Sequence, residues 1–305
     1  MPDGNFRIRT GFPPWFCGTT VLSETIMDLL EYWKLRERPY EPTWDTRFFF
    51  QGRAHDEALN RLSFVVGEQT MLLGMLTGEI GCGKTLTRAV FSRQLERSHF
   101  HVITHENSAF SFNDLLGLTL RALLGEETAV ARNKAARWMQ FEHTMKRLAA
   151  ENRHLVLIFD EAQEMSASTL NELKLLTNLN GDGRSYLTLV LVGQPELRKK
   201  IAQCPAVNQR VSLRFHLDAL SLEESANYLS HRLVAAGHAS GDLFDPNAVE
   251  RAFESTQGVP RALNRLGKLA LEFAWLHEYP RVTYAAVDAV ARDSAVRDHQ
   301  NQLIE

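Results

Sequence analysis

The residues best suited to chemistry form a glycine-rich run that ends in a lysine and a hydroxyl residue. The run consists of Gly78, Glu79, Ile80, Gly81, Cys82, Gly83, Lys84 and Thr85, with Leu86 following. Glycines let the backbone curl so that successive N–H groups point at phosphate oxygens, and the dipole of the next helix favours negative charge. We expect Lys84 to reach the β and γ phosphates and Thr85 to place its hydroxyl on magnesium. The spacing predicts a loop that binds a nucleoside triphosphate.

A pair of carboxylates, Asp160 and Glu161, follows the apolar run 155–159. Carboxylates at the end of a parallel strand lie where such sheets bind ligands. We expect Asp160 to hold Mg²⁺ directly or through water, and Glu161 to orient and polarise the water that attacks the γ phosphate. The pair could instead cap a helix that starts near Ser166. The phosphate-binding loop favours the first interpretation, which predicts hydrolysis of ATP with Mg²⁺.

Four other polar residues give a less specific indication of function. Gln194 follows the apolar run 187–192, and it either senses the γ phosphate or the attacking water, or is a loop residue that satisfies backbone groups. Arg210 and Arg214 lie four residues apart; one is an arginine finger for a neighbouring subunit, or both are surface residues. Arg261 lies in the first turn of a predicted helix, where its charge opposes the helix dipole. We therefore expect an anion, the γ phosphate, to compensate it.

A parallel sheet is needed to bring these side chains together, and the hydrophobic pattern predicts one. Apolar runs of strand length alternate with stretches of helical period from Met71 onward, which indicates an α/β fold with helices flanking a parallel sheet. We predict a strand over 70–77, the loop 78–85 and a helix over 86–97. Strand signals stop after about Leu217, and helical patterns then begin at Ser221, near Asp245, at Pro260 and at Thr283.

These patterns divide the chain into three parts. Residues 1–44 form an N-terminal extension, which includes a short predicted helix capped by Ser23. Residues 45–218 form the α/β nucleotide-binding core, and residues 219–305 form a small all-helical lid. The first thirty or so residues are interpreted as an arm that docks a partner or links subunits.

Composition narrows the class of protein. The chain has 305 residues, a formal charge of −3 and a pI near 6.4, so nothing in its net charge attracts it to nucleic acid. The cysteines Cys17, Cys82 and Cys204 are odd in number and lack metal-ligand spacing, which indicates a reducing compartment. The N-terminus does not resemble a signal peptide, and the longest apolar runs are too short for a transmembrane segment. We therefore expect a cytoplasmic protein.

The order of these motifs resembles that of the AAA+ ATPases, a class of P-loop NTPases. Closer similarity is to the ExeA/GspA-type family, which serves type II secretion and pilus assembly. The motifs that carry the likeness are the segments 32–40, 45–48, 55–59, 160–163, 193–197, 209–210 and 258–264. The resemblance implies that Arg210 is the arginine finger, Gln194 the sensor 1 residue and Arg261 the sensor 2 residue. It also implies that the segment around His55 lies near the adenine.

The same resemblance implies an assembly ATPase. Such a protein forms a homo-oligomer, either a ring or a filament, binds ATP between subunits and drives or regulates assembly of a partner complex. The alternative is a DNA-binding regulator of transposition of the TniB/TnsC type, for which the basic candidates are Arg198, Lys199, Lys200, Arg261, Arg265 and Lys268. A metabolic kinase shares the phosphate-binding loop but does not need Glu161 to activate water, nor a helical lid.

Overall fold

Five strands form the central sheet, and all of their pairings are parallel. The computed structural model describes residues 28–95, 99–181 and 183–302. Its strands, in chain order, are β1 Leu73–Gly78, β2 Phe100–His105, β3 His154–Phe159, β4 Asn180–Gly181, β5 Arg184–Ser185, β6 Leu187–Gly193 and β7 Val211–Leu217. The sheet order is β2-β3-β6-β1-β7, while β4 and β5 pair separately as an antiparallel ribbon. Strands β1, β3 and β6 are buried along their whole length because helices cover both faces.

Helices α2 to α8 flank this sheet. They are α2 Arg53–Glu68, α3 Lys84–Gln94, α4 Phe112–Leu124, α5 Lys134–Ala150, α6 Ala167–Leu176, α7 Glu196–Ala202 and α8 Pro205–Asn208. Alternate residues of β3 show the layering, because Leu155, Leu157 and Phe159 pack with α4, α5 and α6, whereas Val156 and Ile158 pack with α2 and α3. The predicted α/β fold with a flanked parallel sheet is confirmed.

The helices after β7 form the predicted helical region. They are α9 Leu222–Ala235, α10 Pro246–Thr256, α11 Pro260–Leu276 and α12 Tyr284–Gln302. Each begins where the sequence predicts, and the hydroxyl of Ser221 and the carboxylate of Glu224 form the expected capping box at α9. We call these helices the lid. None of the helices in the described parts of the chain is long and apolar enough to cross a membrane.

The N-terminal segment, residues 28–52, packs on the lid and shares its hydrophobic core. It contains the short helix α1 Leu29–Tyr32 and a 3-10 turn, Thr46–Phe48. Trp33 and Tyr40 are buried among lid residues, and the Tyr40 hydroxyl donates a hydrogen bond to the Leu229 carbonyl at 3.0 Å. Ser23 and the rest of residues 1–27, including the predicted docking arm, lie outside the described residues.

Candidate nucleotide-binding site

The glycine-rich loop connects β1 to α3. Helix α3 begins at Lys84, earlier than the predicted Leu86. Gly81 and Gly83 have φ values of +89° and +91°, a region that side chains disfavour. These glycines therefore allow the tight turn that brings loop amides and the start of α3 toward a shared cavity, as the motif requires.

Lys84 is buried at the base of this loop. Its Nζ donates hydrogen bonds to the carbonyl oxygens of Gly78 at 2.8 Å and Glu79 at 2.9 Å. Burial lowers the pKa of the ammonium, whereas the nearby Glu161 carboxylate opposes that shift. Lys84 and Thr85 both line the cavity. An anion there would meet a cation that is already positioned by the loop.

Asp160 lies at the end of β3, and its carboxylate is buried. Oδ1 accepts a hydrogen bond from the Glu161 backbone N–H at 3.0 Å, and Oδ2 lies 3.0 Å from Nε of Arg88. Burial raises the pKa of Asp160, and the Arg88 charge opposes that rise. Sequence reasoning missed Arg88, although it follows Lys84 by four residues and so lies on the same face of α3.

Glu161 turns its carboxylate toward the cavity. Its backbone has φ +48°, a left-handed conformation that is uncommon outside glycine, at the point where the chain leaves β3. Gln163 Nε2 donates a hydrogen bond to Glu161 Oε2 at 2.7 Å. Glu161 and Gln194 both line the cavity, because β3 and β6 are neighbours in the sheet.

The cavity lies between the core, the N-terminal segment and the lid, and has a volume of about 930 Å³. That size is within the range of pockets that hold a ligand as large as a nucleotide. Its walls come from residues 40–44 and 48–50, the start of α2, the glycine-rich loop and the start of α3, the chain after β3 and after β6, and the lid helices α9 and α11.

Arg261 supplies the lid wall. Its backbone N–H donates a hydrogen bond to the Gly81 carbonyl at 3.2 Å. A Cβ at position 81 would lie only 2.7 Å from Cβ of Arg261, so glycine permits this close approach between lid and loop. Arg261 lines the cavity, as do Asn264 and Lys268. The lid therefore brings positive charge to the same cavity as Lys84.

His55 lies on the other side of the loop, beside aromatic side chains. Its Nε2 is 3.3 Å from the Cys82 carbonyl, and its ring meets Phe49 edge to face with centroids 5.6 Å apart. Burial lowers the pKa of this imidazole. Its Nδ1 is buried and has no hydrogen-bond partner among the described residues. His55 therefore lies against the phosphate-binding loop and lines the cavity.

Arg210 and Arg214 lie away from this cavity in their own chain. Arg210 precedes β7, whose first residue, Val211, is in register with Leu73 at the start of β1. Arg210 therefore lies at the amino-terminal end of the strands, opposite the end that carries the loop. Arg210 Nη1 donates to the Ala206 carbonyl at 2.6 Å, and Arg214 Nη2 donates to Asn208 Oδ1 at 2.9 Å. A role for either in hydrolysis would require a neighbouring subunit and stays a prediction.

A P-loop at the carboxyl end of a parallel sheet, with a helical lid beside the cavity, is the arrangement of the P-loop AAA+ fold. In agreement, residues 68–201 match the family model described as an AAA domain. The chain is 29% identical over 276 residues to General secretion pathway protein A of Aeromonas hydrophila, covering 88% of this chain and 49% of that protein. The resemblance to the ExeA/GspA-type ATPases is thereby confirmed. The chain spans about half the length of this curated relative.

Solved structures share the fold at lower identity. The Aeropyrum pernix ORC2 protein, in ADPNP and ADP complexes, matches with a TM-score of 0.60 and 18% identity, covering 81% of this chain and 71% of that one. Cdc6p of Pyrobaculum aerophilum has a TM-score of 0.60 and 14% identity, with coverage of 80% and 67%. Drosophila ORC bound to DNA has a TM-score of 0.59 and 15% identity, with coverage of 95% and 70%. At these identities the likeness concerns the fold.

Proposed function

We propose that this chain binds ATP with Mg²⁺ in the cavity, hydrolyses it, and uses ATP bound between subunits to drive or regulate assembly of a partner complex. The observation that carries the proposal is the convergence of Lys84, Glu161 and Arg261 on one cavity. These residues come from the loop, the end of β3 and the lid, and they supply the charges that phosphoryl transfer requires.

Each side chain has a distinct task in this proposal. The loop amides and Lys84 hold the phosphates, and Glu161 orients a water in line with the γ phosphate and accepts its proton. Magnesium, when bound, neutralises charge that develops on the phosphates. Thr85 and Asp160 would hold it; because both oxygens of Asp160 already have partners, we expect Asp160 to do so through water. Gln194 would sense the γ phosphate at the end of β6.

Arg261 connects the nucleotide to the lid. Because its backbone already contacts Gly81, a γ phosphate contacted by its guanidinium would hold lid and loop together. Loss of that phosphate would weaken the contact, so hydrolysis would change the position of the lid relative to the core. Such a change is how a nucleotide could control the assembly of neighbouring subunits.

Support for an assembly role comes from the similarity to General secretion pathway protein A. Among the six basic residues considered for DNA, Lys200, Lys268 and Arg261 are engaged elsewhere, which lowers the case for the alternative. Lys200 Nζ donates to backbone carbonyls of Gln163 and Met165, and Lys268 Nζ lies 2.6 Å from Glu41 Oε1. Arg261 faces the cavity.

The test separates binding from chemistry. Purified wild-type protein, Lys84→Ala and Glu161→Gln are compared for ATP binding, phosphate release and molecular mass, with and without duplex DNA. We expect Lys84→Ala to lose ATP affinity, and Glu161→Gln to bind ATP, assemble and release almost no phosphate. A wild-type chain without Mg²⁺-dependent phosphate release at any protein concentration would overturn the proposal. Stimulation of turnover by DNA would favour the transposition-type alternative.

A further inference from the structure

One buried amide, that of Gln163, connects the ends of two strands at the site. Gln163 lies in the 3-10 turn Ala162–Glu164 after β3, and only 7% of the residue is exposed. Its Nε2 donates to Glu161 Oε2 at 2.7 Å. Its Oε1 accepts a hydrogen bond from the backbone N–H of Gln194 at 3.0 Å. The side chain therefore spans from the carboxylate assigned to water activation to the first residue after β6.

The two bonds fix the orientation of this amide. A backbone N–H can only donate, so the atom that faces Gln194 must be the oxygen. An ionised carboxylate can only accept, so the atom that faces Glu161 must be the nitrogen. Both requirements are satisfied together by a single rotamer of the Gln163 amide. Glutamine is one of the few side chains that can serve both partners, because it carries a donor and an acceptor side by side.

The surroundings hold this amide in place. A Cβ at position 193 would lie 2.6 Å from Gln163 Oε1, so the glycine at the end of β6 provides the space that the amide oxygen occupies. Lys200, from α7, donates hydrogen bonds to the backbone carbonyls of Gln163 and Met165 and so braces the turn. The missing side chain of Gly193 on β6 and the ammonium of Lys200 on α7 thus both help to hold Gln163 in this position.

We propose that Gln163 is a positioning residue: it holds the Glu161 carboxylate in its water-orienting position and couples that position to the end of β6. This inference rests on the proposed hydrolysis by Glu161. Gln163 Nε2 also lies 3.4 Å from Glu164 Oε1, but of the Glu161 carboxylate it contacts only Oε2, which leaves Oε1 of Glu161 available for water. A shift of Gln194 on contact with the γ phosphate would move the amide and, through it, the carboxylate.

Two substitutions separate this role from simple packing. Gln163→Met keeps a similar volume and removes the hydrogen bonds to Glu161 and Gln194, together with the longer one to Glu164. Gln163→Glu introduces a carboxyl beside those of Glu161 and Glu164, and carboxylates at this distance share a proton, which raises the pKa of one of them. When that proton is present, the new carboxyl can donate to Glu161 and accept from Gln194, as the amide does. When it is lost, the two charges repel and the link breaks.

The experiment measures kcat, KM and ATP affinity from pH 6 to pH 8. At pH 8 we expect kcat to fall on the order of 10- to 100-fold in both variants, with ATP affinity retained, because a misplaced water-orienting group costs turnover. For Gln163→Glu, the ratio of its kcat to the wild-type kcat should rise as pH falls, whereas for Gln163→Met the ratio should stay constant. Gln203→Glu, the same change at an exposed position, is the matched control and should resemble wild type.

The outcomes distinguish this inference from the proposed function. If wild type hydrolyses ATP and both variants at position 163 match it, the inference is overturned and the proposed function stands. If wild type shows no turnover, the proposed function fails and so does the catalytic part of the inference. The contact itself is then tested by unfolding. Non-additive free energies of unfolding for Gln163→Met and Glu161→Ala would support it, and additive ones would overturn it.

Discussion

Nε of Arg88 lies 3.0 Å from Oδ2 of Asp160, and both side chains are almost fully buried, at 7% and 5% exposed. The Arg88 Nε–H makes no hydrogen bond within the described residues, so the pairing is ionic. Burying two charges is costly, and removing only one of them leaves the other without compensation. Helix α3, which follows the glycine-rich loop, and the end of β3 are therefore joined by a buried ion pair. Loss of both charges should destabilise the fold less than loss of one.

We predict that Arg88→Met lowers the free energy of unfolding by about 3 kcal/mol. Adding Asp160→Asn should restore part of that loss, because no unpaired buried charge then remains; Glu106, the other partner of Arg88, is 75% exposed. Chemical denaturation of the two single variants and the double variant measures both effects. Arg121→Met, at an exposed position on α4, is the control and should change stability by less than about 0.5 kcal/mol. A double variant less stable than Arg88→Met would contradict this interpretation of the pair.

Metal dependence gives a second prediction. If Thr85 and Asp160 hold magnesium, a chelator should abolish phosphate release and Asp160→Asn should lose metal-dependent turnover. Calcium is larger and accepts irregular oxygen shells, so it should support ATP binding but reduce turnover on the order of tenfold or more. Phosphate release and nucleotide binding are measured in parallel with each metal. Equal turnover with calcium and magnesium would argue against this metal assignment.

Arg210 provides the prediction that separates an oligomeric enzyme from a self-contained one. A finger that acts on a neighbour requires assembly, so turnover per subunit should rise with protein concentration. Arg210→Ala should bind ATP but fail to hydrolyse it. Mixing it with Glu161→Gln should restore part of the turnover, because each variant supplies what the other lacks at a mixed interface.

Dilution and a second arginine are the controls for the mixing experiment. Restored turnover should fall on dilution as assemblies dissociate. Arg214→Ala, measured in parallel, shows whether the neighbouring arginine is the finger instead. If the mixed variants co-assemble and remain inactive, and turnover per subunit is constant across dilution, Arg210 is not a finger that acts in trans.

Two buried histidines predict a loss of stability in mild acid. Burial lowers the pKa of both His105 and His154 from 6.5 to about 4. The Thr119 hydroxyl donates to the Leu115 carbonyl, so Nε2 of His105 must be the donor in its 2.8 Å bond to Thr119. Because both imidazoles bind a proton less readily in the folded chain than in the unfolded chain, protonation favours unfolding as pH falls below 6.5. The loss of stability accumulates until about pH 4.

The expected loss is about 2 kcal/mol per histidine between pH 7 and pH 5. Denaturation curves at both values for wild type, His105→Gln and His154→Gln measure it, and each variant should reduce the difference between the two pH values. His143→Gln, at an exposed position, is the control and should keep the wild-type difference. An unchanged difference in both buried variants would show that these imidazoles do not set the acid response.

The local sequence predicted those features that depend on a single strand, loop or helix start. The loop 78–85, the strands β3 and β6 and the starts of the lid helices follow from glycine spacing, apolar runs and capping residues. Strands β2 and β7 were not recognised, because they lie at the two edges of the sheet. An edge strand is covered less completely, so polar residues such as His101 and Arg214 interrupt its apolar pattern.

The partners of the site residues were harder to predict, for a different reason. Arg88 meets Asp160, and Gln163 meets Gln194, only because β3, β6 and α3 are adjacent in space. Nothing in the spacing of these residues along the chain specifies those pairs. Asp160 and Glu161 could be assigned from their place after a strand, but the groups that hold them depend on tertiary contacts.

The lid is built from both ends of the described chain, and this has a consequence for the order of folding during synthesis. The Tyr32 hydroxyl donates to the Tyr279 carbonyl across 247 positions of sequence, and Trp33 Nε1 donates to the Leu271 carbonyl across 238. During synthesis, residues 32–40 therefore wait for α11, while the sheet that lies between the two in sequence can already form. Until then Trp33 and Tyr40 lack their burial site, and the nucleotide cavity lacks a wall. A nascent chain stopped after β7 should expose these aromatic residues and be a substrate for chaperones.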